Sequence, residues 1–306
     1  MLRLVASVAL GCLLTIVGVT AVTAAPLSPG DVLVADQGGF VYHYSATGAD
    51  LGTFASGLRS PSWITVDPGG NVYVTEYGLG EPGTIIKFRP DGARLLAIST
   101  AFTAAGVAIA PDGTIYVAHY GREQTDRYSA SGLPLGQFTP FGSDFIAFNA
   151  DGDLFTPAGG PIYRIAPNGT AEVFGALAGA EGIAFDATGN AYVSSTLNII
   201  EKFSPSGADL GVFASTGLNE PYGLAFDGDG NLYVANYAGG HVHKFSPSGD
   251  DLGVFASSGL ALPRDVAVVP GPQSKDDCEH GGWKSFEFPR TFKNQGDCLS
   301  FVNTRR

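Results

Sequence analysis

Eight side chains stand where short apolar runs begin or end, and their types could bind or react. Asp36, Glu76, His119 and Asn236 each close a run such as Val-Leu-Val-Ala or Leu-Tyr-Val-Ala. Asp144, Glu181, Tyr222 and Arg264 each stand at the start of another, such as Phe-Ile-Ala-Phe or Gly-Leu-Ala-Phe. Carboxylates with an amide oxygen suit a hard divalent cation, which needs several oxygen ligands. A histidine suits proton transfer near neutral pH. Carboxylates, a guanidinium and a phenol together suit recognition of a small polar ligand. Nucleophilic hydrolysis lacks comparable support, because no Gly-x-Ser-x-Gly elbow links a strand to a helix. No residue is therefore assigned a catalytic role, and binding is preferred to catalysis.

These residues need a scaffold that brings distant positions together, and the chain supplies one by repetition. Six copies of a turn glycine precede a strand-like run: Gly30 "DVLVAD", Gly70 "NVYVTE", Gly113 "TIYVAH", Gly152 "DLFTPA", Gly189 "NAYVSS" and Gly230 "NLYVAN". The spacing stays close to 40 residues, a period that marks an array of supersecondary units. Each unit carries four short strand candidates. A "GLAFD"-type strand precedes the turn and the "YVA"-type strand follows it; a "KFS"-type strand and an "LGVFAS"-type strand complete the unit. Alternating, β-branched and aromatic residues between Gly, Asp and Pro turns favour antiparallel strands over helices. The predicted fold is all-β, a six-bladed β-propeller of four-stranded blades.

The first and last units are each incomplete. At Gly30 the second strand "DVLVAD" has no first strand ahead of it, and at 265–269 the first strand "DVAVV" has no second strand behind it. Pairing these N- and C-terminal strands closes the ring and removes an open sheet edge. The weakest unit surrounds Gly152, where Pro157 cannot donate a ladder hydrogen bond and should end its strand early. In such a ring, two positions per unit should reach the mouth of the central channel. The first set is Ser62, Ala105, Asp144, Glu181, Tyr222 and Arg264; the second is Asp36, Glu76, His119, Ala158, Ser195 and Asn236.

Outside the repeats, residues 1–24 combine Arg3, a long apolar run and small residues at 22–24, which reads as a secretory signal peptide. An uncleaved anchor is the alternative. The propeller is expected over 27–271 and a separate segment over 272–306. With Cys12 in the leader, Cys278 and Cys298 remain as an even pair in an exported protein, expected to form a disulfide. That bridge could stabilise its segment by about 3 kcal/mol on the chain-entropy view. The chain carries 29 acidic against 17 basic residues, and all of the excess precedes Gln273. Such a surface disfavours nucleic acid as a partner. The expected product is secreted and monomeric, without stable membrane insertion after signal cleavage. A small polar ligand, a glycan or a protein segment is the expected partner.

The units resemble NHL repeats, most closely in "PYGLAFDGDGNLYVANYAGGHVHKFSPSG" (221–249) and "EGIAFDATGNAYVSSTLNIIEKFSPSG" (181–207). The resemblance covers roughly 30–270 and implies a six-bladed propeller without implying one chemistry. Propellers of the gluconolactonase type hold a divalent cation with one Glu, two Asn and one Asp at first-strand starts. Here only Asp144 and Glu181 match, with Glu76 and Asn236 as further weak candidates. Virginiamycin B lyase-like chemistry needs a mouth histidine, and only His119 is placed for it. A metal-assisted hydrolase or lyase of these types is therefore the alternative function, with a divalent cation as the one cofactor to consider. The "DGDGN" turn at 227–231 has the first ligands of a calcium loop, yet Leu232 replaces its glycine and Ala238 its closing glutamate. It reads as a hairpin turn first. Asn168-Gly-Thr170 fits a glycosylation sequon. The tail "CEHGGWKSFEFPRTFKNQGDCLSFV" resembles a Cys-bounded segment found behind many unrelated exported folds, and Trp283, Phe286, Phe288 and Phe292 are expected to pack it.

Overall fold

The computed structural model describes residues 25–77, 82–122, 124–271, Cys278 and 293–304. The expected leader and the four tail aromatics lie outside the described residues. The chain opens with β1 (Val32–Asp36), β2 (Phe40–Tyr44) and β3 (Asp50–Ser56). Four-strand groups then follow in turn. Blade 2 is β4 (Pro61–Val66), β5 (Val72–Glu76), β6 (Thr84–Phe88) and β7 (Arg94–Ser99). Blade 3 is β8 (Ala104–Ile109), β9 (Ile115–His119), β10 (Gln124–Tyr128) and β11 (Pro134–Thr139). Blade 4 is β12 (Ala147–Phe148), β13 (Leu154–Pro157), β14 (Pro161–Ile165) and β15 (Ala171–Ala176). Blade 5 is β16 (Ala180–Phe185), β17 (Ala191–Ser195), β18 (Ile199–Phe203) and β19 (Asp209–Ala214). Blade 6 is β20 (Pro221–Phe226), β21 (Leu232–Asn236), β22 (His241–Phe245) and β23 (Asp251–Ala256). β24 (Pro263–Val268) comes last and joins β1–β3 to make blade 1. The chain is a six-bladed β-propeller.

Closure is a strand pair formed over more than two hundred residues. β24 runs antiparallel to β1, with Val32 opposite Val268, Leu33 opposite Ala267 and Val34 opposite Val266. Asp265 extends the closure into both neighbouring blades. Its Oδ2 accepts the Ile64 N–H of blade 2 at 2.9 Å, and its Oδ1 accepts the Val266 N–H at 2.9 Å. On the other side it presses on Gly223 of blade 6, where a Cβ would lie 1.8 Å from Oδ1. Only glycine fits there.

Apolar side chains of neighbouring blades meet in six clusters, one at each interface. Leu33, Val41 and Phe54 of blade 1 pack with Val72, Ile86 and Phe88 of blade 2, for example. The remaining clusters join blades 2 and 3, 3 and 4, 4 and 5, 5 and 6, and 6 and 1. Each fully buried large side chain contributes about 1.5–3 kcal/mol, and none of it is available to a blade standing alone.

The repeat motif itself is structural. In blade 6, Asp227 Oδ1 accepts the Asn231 N–H at 2.8 Å, and Tyr233 donates to Asp227 Oδ2 at 3.2 Å. The Lys244 ammonium lies 3.3 Å from the same carboxylate and 4.6 Å from the Tyr233 ring centre. Blades 2 and 5 repeat this with Asp67, Asn71, Tyr73 and Lys87, and with Asp186, Asn190, Tyr192 and Lys202. The oxygens that a calcium loop would need at Asp227 are thus spent on the hairpin.

Blade 4 departs from the others as Pro157 requires. β13 has four residues, and its partner β12 keeps only Ala147–Phe148. The Ser143 hydroxyl takes over the missing link by donating to the Pro157 carbonyl. Beyond the propeller, Cys278 and Cys298 form a disulfide with Cα atoms 5.6 Å apart, Cys298 lying on helix α1 (Gln295–Thr304). Among the described residues no helix is long and apolar enough to cross a membrane.

Chains ending at residue 258 and at residue 271 differ by β24. The shorter should lose its cooperative melting transition, whereas the longer, lacking only the Cys-bounded tail, should melt within a few degrees of the full chain. Circular dichroism melts of both would show this, and equal melting would contradict closure by β24.

Candidate functional site

The innermost strand of each blade lines the channel, and a bulge near its start turns one side chain toward the mouth. In β20 the ladder pairs Pro221 with Asn236 and then Leu224 with Val234, which leaves Tyr222 out of register. The same shift frees Glu181 in β16, Ser62 in β4 and Ala105 in β8. In β24 it frees Arg264, between Pro263 and Asp265. Bulges commonly re-aim side chains in this way beside sites. Asp144 reaches the same level from the unpaired segment ahead of β12.

A cavity of about 350 Å³ opens there, lined by Gln37, Tyr77, Tyr120, Asp144, Glu181, Tyr222 and Arg264. Arg264 and Asp144 come from blades three steps apart in a ring of six, on opposite sides of the channel. Their side chains meet across it, Arg264 Nη2 to Asp144 Oδ2 at 3.4 Å. This pair forms the floor of a cup. Below it the channel continues as a space of about 330 Å³ walled by residues such as Val66, Ile109, Phe148, Phe226 and Val268.

Aromatic rings hold the guanidinium. Its central carbon lies 3.8 Å from the Tyr222 ring centre and 4.9 Å from that of Trp63, with Tyr237 at 5.7 Å and Phe145 at 6.0 Å. Trp63 in turn meets Phe145 edge-on at 4.4 Å. Such cation–π contacts strengthen where water is excluded. The Arg264 Nε is buried with no hydrogen-bond partner among the described residues. On the wall, Tyr77 and Tyr120 meet edge-to-face at 5.3 Å. Tyr237 packs on Tyr222 at 5.3 Å and donates to Gln37 Oε1 at 2.9 Å.

Burial governs the acids of the cup. It pushes Asp144 up to about 6, with Arg264 acting in the opposite direction. Glu181 rises to about 7 for the same reason, again opposed by Arg264 and raised further by Asp144 and Glu220. Tyr77 is pushed up to about 12 by burial and then by Tyr120.

The structure divides the sequence-derived candidates into two groups. Asp144, Glu181, Tyr222 and Arg264 converge on the cup, and Ser62 and Ala105 stand fully buried at the matching level. Asp36, Glu76, His119 and Asn236 are buried and tie the end of each second strand to the chain entering that blade. Asp36 Oδ2 accepts the N–H groups of Ala261 and Leu262 at 2.8 Å each, and its Oδ1 accepts that of Gly38 at 2.8 Å. Glu76 accepts the Arg59 N–H at 2.8 Å. Asn236 accepts from Asn219 at 3.1 Å and donates to the Gly217 carbonyl at 2.9 Å, while Ser195 donates to the Ala178 carbonyl at 2.6 Å. His119 lies between the Thr103 carbonyl at 3.3 Å and Asp126 at 3.0 Å. Ala158, without a polar side chain, is exposed.

The four weak metal candidates therefore do not meet. Asp144 and Glu181 share the cup, but Glu76 and Asn236 are engaged with backbone elsewhere. No cluster of three or more acidic, His or Cys side chains suited to a metal exists among the described residues. One position further along from the second-strand ends lie Gln37, Tyr77, Tyr120 and Tyr237, which the ladder-end reading passes over. The recurrence of tyrosine in "TEY", "AHY" and "ANY" is the signal that marks them.

No known protein family matches this chain, and neither does any curated protein. Solved structures do resemble it. A protein of unknown function from Bacteroides caccae is 16% identical, with 80% of this chain and 100% of that one aligned at a TM-score of 0.63. A chain of a nidogen/laminin complex is 14% identical over 78% of this chain and 98% of its own, with a TM-score of 0.67. A protein of unknown function from Bacteroides thetaiotaomicron is 16% identical over 72% and 67%, with a TM-score of 0.61. At these identities the likeness shows the fold alone.

Two predictions follow from the division of roles. Replacing Asp36 by Ala leaves three backbone donors without their acceptor and should cost about 2–3 kcal/mol of stability, measured by denaturant unfolding. The pH test concerns Asp144 and Glu181. Both are raised above their ordinary values of 3.8 and 4.5, so the stability tied to their neutral forms is full below pH 3.8 and lost as pH rises through 6 and 7. Relative to an Asp144→Asn/Glu181→Gln variant, the wild type should lose stability between pH 4 and 8. Asp265, raised to about 7 by burial, adds a decline of the same sign to both proteins. Parallel unfolding curves at each pH would show a constant difference if the cup acids did not titrate in this window.

Proposed function

We propose that this chain is an exported, NHL-type propeller that acts as a binding module and holds a small polar ligand at the channel mouth. The observation that carries this reading is the cup itself. Side chains from six different second-strand exits and first-strand bulges meet there, while their structural counterparts one residue away are spent on holding blades. The cup combines donors, acceptors and aromatic faces in a concave space, as small-molecule sites do. Its first-strand residues Asp144, Glu181, Tyr222 and Arg264 differ from blade to blade although the hairpins beneath them repeat. A binding role is also favoured over metal-assisted hydrolysis or lyase chemistry, because the oxygen ligands such chemistry needs are not gathered and His119 lies buried on Asp126.

Export is supported by the leader-like composition of residues 1–24 and by the Cys278–Cys298 disulfide, a bond typical of oxidising compartments. The acidic excess of 29 over 17 speaks against a nucleic-acid partner. The NHL assignment rests on the Asp–Asn–Tyr–Lys network that the motif residues build.

A thermal-shift screen of polar metabolites, saccharides and peptides tests the reading. A ligand at a hundred times its Kd should add about 2.7 kcal/mol of stability. That gain should disappear in a Tyr120→Ala/Glu181→Gln variant. Hits that stabilise the variant equally would place binding elsewhere and sink the mouth assignment.

A further inference from the structure

The cup sorts ligands by charge, and on the reading that the mouth binds, its composition narrows the class. A cationic ligand would meet the Arg264 guanidinium, which repels it and already occupies the faces of Tyr222 at 3.8 Å and Trp63 at 4.9 Å. An anionic ligand would seek Arg264, but it would face Asp144, 3.4 Å from the guanidinium, and Glu181 on the neighbouring blade. Two carboxylates there oppose one cation. An uncharged ligand rich in hydroxyls meets neither obstacle. Each hydroxyl both donates and accepts, so it can donate to Asp144 or Glu181 and accept from Arg264 or the Gln37 amide.

The wall adds the second half of the recognition. Tyr77 and Tyr120 are fixed against one another at 5.3 Å and come from blades 2 and 3, across the ring from Glu181 and Tyr222 of blades 5 and 6. Tyr120 keeps 51% of its surface exposed while its ring is held against Tyr77. An aromatic face beside such polar groups suits a ring whose faces are C–H and whose edges are hydroxyl. The cup's volume of about 350 Å³ is at the small end for ligand sites, and the Arg264–Asp144 floor closes its lower side. We propose that the mouth takes the terminal unit of an uncharged saccharide, packed on Tyr77 and Tyr120 with its hydroxyls on Asp144, Glu181, Arg264 and Gln37.

The test uses the full exported chain and isothermal titration. Probes are neutral gluco-, manno- and galacto-oligosaccharides of two to four units, the corresponding uronic-acid and amino-sugar oligomers, and acidic and basic peptides. At least one neutral oligosaccharide should bind saturably, and its charged counterparts should bind at least tenfold more weakly. Tyr120→Ala, at a half-exposed position and with its melting temperature within a few degrees of wild type, should weaken binding tenfold or more; Tyr120→Phe should stay within threefold. A charged sugar or a peptide that binds better than every neutral probe, and loses binding in Tyr120→Ala, overturns the saccharide assignment and leaves mouth binding standing. Failure of every probe class to bind overturns both.

Discussion

The β1–β24 ladder is the contact on which the rest of the molecule depends. Propeller blades have no core of their own, since each apolar cluster lies between two blades and belongs to both. An open ring would expose two such faces together with two strand edges. Pairing Val32–Ala35 with Asp265–Val268 covers all of them at once. Because the two strands lie at opposite ends of the propeller sequence, this closure carries a large loop entropy. Asp265 shows how the ring compensates, linking blade 1 to the Ile64 amide of blade 2 and seating against Gly223 of blade 6.

Closure also places the candidate site. Arg264 precedes Asp265 at the bulge of β24, so the strand that completes the ring delivers, among the described residues, the one guanidinium in the cup's lining. Reaching Asp144 on the far side of the channel, it turns an open pore into a cup with a floor. The surrounding rings hold it, and the small Ser62 and Ala105 of blades 2 and 3 are buried at the matching level. Ring closure and the candidate site are thereby coupled at one end of one strand.

Neighbouring positions divide these tasks sharply. Second-strand ends carry Asp36, Glu76, His119, Ser195 and Asn236, all buried and all bonded to the segment that enters their blade. Their chemical variety looks like the variety of a site, yet each satisfies a local pattern of backbone donors and acceptors that differs from blade to blade. In blades 1, 2 and 3 the next residue along, Gln37, Tyr77 or Tyr120, bonds the entering segment through its backbone N–H alone and lines the cup with its side chain. A single step of register separates the two roles because strand side chains alternate in direction.

Much of the architecture was legible in the residues. The repeat period, the turn glycines and the orphan strands at 30–36 and 265–269 determined six blades, their four-strand make-up and the closing pair, and Pro157 marked the shortened strand of blade 4. The paired cysteines likewise indicated their bridge. These features are local or periodic, so they leave a trace in the chain order. First-strand candidates were legible too, since they follow the same register. What only the tertiary structure decided is which polar groups meet. That Arg264 spans the channel to Asp144, that aromatic rings from blades 2, 4 and 6 surround it, and that Asp36 and His119 are turned away into backbone locks depend on bulges and on three-dimensional proximity between blades. Ring geometry sets those distances, and a one-dimensional pattern carries no measure of them.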